Sequence, residues 1–155
     1  MANLQSGRRL AFDFGSVRVG VSVSTIDGIF CSPQQAIQNN EQLIESVKSL
    51  LEEYDPMIIF VGLPLNLSGE FTKSTTSAIE FARAISLVSN IPIRLIDERL
   101  STRAAQKQMQ SSGKSVKQSR PLIDSATATL ILESALEFEK NTDKLAGREI
   151  TEFDE

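Results

Sequence analysis

The stretch from Arg9 to Gly15 alternates between apolar and polar positions along its whole length. Leu10, Phe12 and Phe14 fall on one side, and Asp13 falls on the other. A period of two is typical of a β-strand with one buried face. Near the end of such a strand, a carboxylate loses hydration unless a cation or a set of donors meets it. Asp13 is therefore a candidate functional residue; the alternative is an aspartate that only opens the following turn.

The segments after this strand follow a recognisable order. Two more short strands come next, and the Asp27-Gly28 turn signal between them predicts an antiparallel meander that Pro33 ends. The hydrophobic period then changes from two to that of an amphipathic helix, beginning near Asn40. The remaining predicted segments are a buried strand at 57–62, a helix whose inward positions fall between 78 and 88, a strand at 91–98, a short helix at 101–109, a basic loop at 111–120 and a helix at 122–140.

This order predicts an α/β fold. Three antiparallel strands, joined to two parallel strands that arrive through helical crossovers, form a mixed five-stranded sheet with helices on both faces. This is the element order of the RNase H-like architecture. We predict a single domain over 1–140, followed by an acidic, disordered tail at 141–155.

Composition removes several kinds of active site. The 155-residue chain has no histidine and one cysteine, Cys31, which excludes Ser-His-Asp triads, Cys-His dyads and zinc sites built from histidine and cysteine. The seven N-terminal residues contain no apolar signal core, and no apolar run approaches the ~18 residues of a membrane span. The net charge is −4, but it is unevenly distributed: 94–120 holds seven basic and two acidic residues, and 121–155 holds three basic and nine acidic residues.

Three further carboxylates occupy positions that favour chemistry. Asp97 and Glu98 end the fifth predicted strand, where open α/β sheets form their sites. Because neighbouring strand residues face opposite ways, at most one of the two points toward Asp13; the alternative is a polar strand end paired with Arg99. Asp124 lies on the otherwise apolar stripe of the last helix, where the alternative is an N-cap.

If these acids converge, a cation is needed, because repulsion between clustered carboxylates would otherwise keep one of them protonated. Oxygen ligands suit Mg²⁺ or Mn²⁺. Two such ions, roughly 3.5–4 Å apart, can activate a water and stabilise the leaving oxygen of a phosphodiester. This chemistry requires no histidine.

Four ordered motifs resemble the YqgF/RuvX family over about residues 8–138. They are Phe12-Asp13-Phe14-Gly15 with Arg18 and Gly20-Val21, Val61-Gly62-Leu63-Pro64-Leu65-Asn66 with Gly69, Asp97-Glu98-Arg99-Leu100-Ser101-Thr102, and Ile123-Asp124-Ser125-Ala126 with Ile131-Leu132. The resemblance implies an RNase H-like fold with Asp13, Glu98 and Asp124 as catalytic and metal-binding acids. It also implies a cytoplasmic protein that matures the 5′ end of 16S ribosomal RNA.

We therefore expect a metal-dependent nuclease whose partner is nucleic acid, either precursor rRNA or branched DNA. The residues expected to contact nucleic acid are Arg18, Arg99, Lys114, Lys117 and Arg120. Three alternatives remain: a Holliday junction resolvase, a phosphotransferase related to actin-like ATPases and sugar kinases, and a non-catalytic RNA- or protein-binding module. The phosphotransferase alternative needs a second domain to clamp its nucleotide, and this chain has the length of one.

Overall fold

The computed structural model describes residues 6–99 and 124–153. The strands are β1 (Arg9–Phe14), β2 (Arg18–Ser24), β3 (Cys31–Gln38), β4 (Ile58–Leu63), β5 (Ile93–Asp97) and β6 (Arg148–Glu149). The helices are α1 (Leu43–Tyr54), α2 (Lys73–Ser86) and α3 (Ala126–Thr142), and Ile150–Phe153 forms a 3₁₀ helix. The short helix and the basic loop predicted between 101 and 120 lie outside the described residues.

The strands form one mixed sheet in the order β3-β2-β1-β4-β5-β6. β1, β2 and β3 pair antiparallel, whereas β4 is parallel to β1 and β5 is parallel to β4. The predicted fold class is therefore confirmed, with one strand more than the five expected, because β6 adds antiparallel to β5.

Each face of the sheet carries its own apolar core. On one face, Phe12 and Val61 pack with α1 and α2, for example with Phe81, whose ring centroid is 5.5 Å from that of Phe12. On the other face, Ala11 and Phe60 pack with the buried side of α3, including Ile131. The alternation along β1 thus sends the side chain of Asp13, two residues after Ala11, toward the α3 face.

The prediction that Pro33 ends the third strand is wrong. β3 continues through Pro33, which pairs with Ser22. Proline is tolerated there because β3 is an edge strand, where one side of the strand has no partner to receive a backbone N–H.

The tail predicted from residue 141 differs from the structure, in which α3 reaches Thr142 and the chain is ordered as far as Phe153. Ala146 is 3% exposed, and its N–H donates to Glu139 at 3.3 Å. The Arg94 guanidinium donates to the carbonyl oxygens of Ala146 at 2.9 Å and Gly147 at 2.6 Å. Side-chain-to-backbone bonds, together with the packing of Ile150 and Phe153 against the core, hold this segment without an apolar period in its sequence.

Within residues 6–99 and 124–153, no helix combines the length and apolar character needed to cross a membrane.

Candidate active site

Asp13 lies at the centre of the site because its strand, β1, is central in the sheet. It pairs with Gly20 on β2. On the other side of β1, Phe12 pairs with Val61, so Gly62 of β4 follows immediately beside Asp13. Loss of hydration in this partly buried position raises the pKa of Asp13 from 3.8 to about 6.

Glu98 directly follows β5, and its side chain lies over Gly62. A Cβ placed on Gly62 would be 2.7 Å from Oε2 of Glu98, closer than real Cβ contacts come. Burial raises the pKa of Glu98 from 4.5 to about 7, and the charge of Asp13 and then that of Asp97 add to the shift. Asp13 and Glu98 are therefore two partly buried carboxylates, and the charge of Asp13 disfavours the charged form of Glu98.

Asp97 takes no part in this pair. Its carboxylate accepts hydrogen bonds from Nη2 of Arg99 at 2.6 Å and from the Arg99 backbone N–H at 2.9 Å. These bonds lower the pKa of Asp97. The interpretation of a polar strand end paired with Arg99 is thus correct for Asp97, while the alternation of the strand directs Glu98 to the face of Asp13.

Asp124 lies at the start of α3, above β2. Its backbone oxygen packs directly against Gly20, the residue paired with Asp13. Its side chain is 36% exposed, with Oδ2 3.6 Å from Nε of Arg18. The helix takes Ser125 as its N-cap residue, so the capping alternative for Asp124 does not describe this structure.

The two glycines explain how the three acids reach one edge of the sheet. Gly20 admits the main chain of Asp124, and Gly62 admits the side chain of Glu98, one on each side of Asp13. Over the described ranges, no three Asp, Glu, Cys or His side chains are grouped closely enough to hold a metal ion as they stand. The charge of Asp13 acts on the pKa of Glu98, whereas the carboxylate of Asp124 pairs with Arg18.

The predicted nucleic-acid contacts divide into two groups. Arg18 is about half exposed beside Asp124, and Arg99 lies between Asp97 and Gly69. Both are next to the acids. Lys114, Lys117 and Arg120 lie outside the described residues.

Sequence reasoning missed the roles of Gly20, Gly62 and Ser125. A signal was present for the glycines, because each interrupts an apolar strand, as in Val19-Gly20-Val21 and Val61-Gly62-Leu63. Such a glycine marks a close approach of another part of the chain. No comparable local signal marks Ser125.

Comparison with solved structures places this fold in a known class. RuvC of Thermus thermophilus in complex with a Holliday junction substrate is similar with a TM-score of 0.59 and 13% identity, over 88% of this chain and 97% of that one. The fowlpox virus Holliday junction resolvase is similar with a TM-score of 0.52 and 13% identity, over 84% and 99% of the two chains. The fold is that of the RNase H-like resolvases.

The sequence comparisons identify the family within that class. The model of the RuvX family, described as Holliday junction resolvase, matches residues 7–138. A relative from Leifsonia xyli subsp. xyli, named "Putative pre-16S rRNA nuclease", is 40% identical over 95% of this chain and 96% of its own length. A relative of the same name from Streptomyces avermitilis is 35% identical over 93% and 94% of the two chains. The chain belongs to the RuvX family.

Proposed function

We propose that this chain is a divalent-metal-dependent nuclease that hydrolyses phosphodiester bonds in structured nucleic acid. The observation that carries the proposal is the partly buried pair of Asp13 and Glu98 at the carboxyl ends of two inner strands of an RNase H-like sheet. Loss of hydration raises the pKa of Asp13, and loss of hydration together with the charge of Asp13 raises the pKa of Glu98; a structural role does not require that cost. Family membership and the names of the relatives support the same activity.

The chemistry of these side chains suits magnesium or manganese. Carboxylate oxygens are the ligands these cations prefer, and Asp13 and Glu98 offer them where burial disfavours an uncompensated negative charge. Asp124 would join them as a ligand after breaking its ion pair with Arg18. When bound, Mg²⁺ or Mn²⁺, as two ions, would supply water activation and stabilisation of the leaving oxygen.

The side chains of the protein have two further roles, holding the carboxylates at a fixed spacing and binding phosphates. Asp13 and Glu98 sit at the ends of β1 and β5, so the sheet fixes the spacing of the two carboxylates. Arg18, released from Asp124, would be available to a phosphate next to the scissile one. We propose the same positioning role for Arg99, Lys114, Lys117 and Arg120, since guanidinium and ammonium groups bind the backbone of any sequence.

We propose precursor 16S rRNA as the substrate and the cytoplasm as the compartment, because the curated relatives are named for that RNA. A second candidate is a four-way DNA junction, which the description of the family model favours. Specificity between them depends on shape and on contacts to the 2′-hydroxyl.

The test offers the purified protein a precursor rRNA leader, a four-way DNA junction and a linear duplex, each with Mg²⁺, Mn²⁺ or EDTA. Asp13→Asn should reduce cleavage by a factor of ~10² or more, because the amide is a poorer ligand of similar shape. Asp97→Asn is the matched control, a neighbouring strand-end acid already engaged by Arg99, and should stay within a few-fold of wild type.

The outcomes separate the candidates. Cleavage of the rRNA leader that needs metal and Asp13 supports the proposal, and preferential cleavage of the junction supports the second candidate. Tight binding without cleavage of any substrate would instead establish a non-catalytic binding module. Cleavage that persists in EDTA or in Asp13→Asn would assign the activity to other residues.

A further inference from the structure

Ser125 lies completely buried between the start of α3 and the strands beneath it. We infer that Ser125 is a positioning residue: its hydroxyl ties the start of α3 to β2 and β3 and thereby sets the place of Asp124 relative to Asp13. This inference rests on the proposed function, in which Asp124 joins Asp13 and Glu98. Ser125 itself touches neither acid through a hydrogen bond described in the structure.

The hydroxyl of Ser125 occupies a gap in the sheet. The register between β2 and β3 shifts between Val19 and Val21, and beyond the shift Val21 pairs with Gln34. The backbone N–H of Val21 donates to Oγ of Ser125 at 2.9 Å, and this hydroxyl donates to the carbonyl oxygen of Gln34 at 2.5 Å. The serine therefore bridges the two residues of one strand pair, accepting from one and donating to the other.

This use of the hydroxyl is unusual for its position. Ser125 is the N-cap residue of α3, where a serine side chain ordinarily accepts a hydrogen bond from the second or third backbone N–H of the helix. Here the side chain makes no such bond. The helix therefore begins without a side-chain cap. The serine instead hydrogen-bonds Gln34 of β3 and Val21 of β2, which lie 91 and 104 residues earlier in the chain.

The hydrogen bond between Ser125 and Val21 lies next to the acids of the candidate site. Val21 follows Gly20, and Gly20 both pairs with Asp13 and packs against the backbone oxygen of Asp124. The Ser125 bond is thus made by the residue that immediately follows Gly20 on β2. If the hydroxyl is lost, the residue after Asp124 is no longer hydrogen-bonded to β2 and β3 beside Gly20.

The chain offers a closely matched control at Ser22. Ser22 is also fully buried on β2, its hydroxyl donates to a β3 carbonyl oxygen, that of Ser32, at 3.0 Å, and it bonds to α3 through Thr129 at 3.0 Å. It differs in location, because it pairs with Ala11, two residues before Asp13, and its bond to α3 is made through Thr129, four residues after Ser125. Ser22→Ala therefore removes an equivalent tie between sheet and helix away from the acids.

The experiment compares wild type, Ser125→Ala, Ser125→Cys and Ser22→Ala in three measurements. Crystal structures report the place of Asp124 over Gly20, titration with Mn²⁺ followed by the paramagnetic signal of the unbound ion reports affinity, and cleavage assays report kcat and KM. Ser125→Cys keeps the size of the side chain with a weaker hydrogen-bonding group, so it covers the case in which Ser125→Ala does not fold.

We expect Ser125→Ala to shift the main chain of Asp124 by about 1 Å or more, weaken Mn²⁺ binding at least tenfold and lower kcat at least tenfold, with Ser125→Cys intermediate. Such a misplacement is enough for losses of this size. Ser22→Ala should lower the melting temperature as much as Ser125→Ala does, yet its affinity for Mn²⁺ should stay within about twofold of wild type.

Two results would overturn the inference. The first is that Asp124 keeps its place over Gly20 in both Ser125 variants. The second is that Ser22→Ala and Ser125→Ala weaken Mn²⁺ binding equally, which would make both serines structural only. If wild type neither binds Mn²⁺ nor cleaves, the proposed function fails, while the displacement of Asp124 in the crystal structures still decides the role of Ser125.

Discussion

The carboxylate of Glu98 occupies the space that a side chain on Gly62 would fill. A Cβ at Gly62 would come within 2.7 Å of Oε2 and 2.9 Å of Cγ of Glu98. Glu98 can therefore lie across β4 toward Asp13 only because the residue beneath it is glycine. This position disfavours the charged form of Glu98, because burial and the charge of Asp13 raise its pKa to about 7.

Gly62→Ala should abolish most cleavage while leaving the protein folded. The added methyl meets Glu98 and, at 2.6 Å, Cδ1 of Ile131, and both are ends of side chains that can shift. Overpacking of this kind costs roughly 1–3 kcal/mol. Thermal melts and cleavage assays on the same samples check both parts.

The double variant Gly62→Ala with Ile131→Val is the control for packing. Valine lacks the Cδ1 atom, so this second change relieves the clash in the core but not the one with Glu98. Stability should return toward wild type while activity stays low. Recovery of both together would mean that Glu98 does not need its place over Gly62.

The stability of the metal-free protein should depend on pH through Asp13 and Glu98. The pKa of each is raised in the folded state, to about 6 and about 7, so the folded protein binds protons more tightly than the unfolded chain. Their contribution is neutral below about pH 4 and becomes unfavourable as the pH rises through 6 to 7. Asp13→Asn should therefore raise the free energy of unfolding by about 1–3 kcal/mol at pH 8 and by little at pH 4.

Denaturant titrations in EDTA at pH 4 to 8 provide the measurement. Asp27→Asn serves as a control of opposite sign, because hydrogen bonds from Thr25 and Ile29 lower the pKa of Asp27. Above the pKa that Asp27 has in the unfolded chain, Asp27→Asn should lower the free energy of unfolding, whereas Asp13→Asn should raise it. An Asp13→Asn effect that is the same at pH 4 and pH 8 would contradict the raised pKa of Asp13 in the folded protein.

Asp124→Asn should separate metal binding from apo stability. Without metal the change removes an ion pair with Arg18 that is exposed on both sides, which costs about 0–1 kcal/mol. With metal at a hundredfold excess over Kd, wild type should gain about 2.7 kcal/mol, and the variant should gain much less. Thermal melts with EDTA and with Mn²⁺ provide both comparisons.

Arg18→Ala removes the same ion pair but keeps the carboxylate, so it shows whether the pair alone matters. It should respond to Mn²⁺ at least as strongly as wild type, because Asp124 no longer has to leave Arg18. Equal metal-induced shifts in wild type and Asp124→Asn would place Asp124 outside the metal shell.

Deletion of 143–155 should destabilise the fold by more than about 2 kcal/mol. It exposes the surface that buries Ala146 and removes the backbone groups that Arg94 and Glu139 bind. Deletion of 154–155 alone is the matched control and should leave the free energy of unfolding unchanged. A long deletion without effect would support the disordered tail that the sequence alone suggested.

The sequence by itself determined the order of elements and the location of the acids. Period-two and helical patterns are local properties of the chain, so the change after residue 40 was enough to predict a mixed sheet with helices. The strand-end position of Asp13 and the pair Asp97-Glu98 were equally local. The choice of Glu98 over Asp97 came from the family resemblance, since the residues alone left it open.

Tertiary structure decided how those acids are placed relative to one another. The bonds of Ser125 join residues up to 104 positions apart, and the Arg94 bonds that hold the C-terminal segment span more than 50. A hydroxyl or a guanidinium bound to a distant backbone leaves no period in the local sequence, because its partner is set by the folded chain. For the same reason the sequence alone shows Gly62 only as a poor strand residue. Its role becomes clear when the folded structure places the side chain of Glu98 over it.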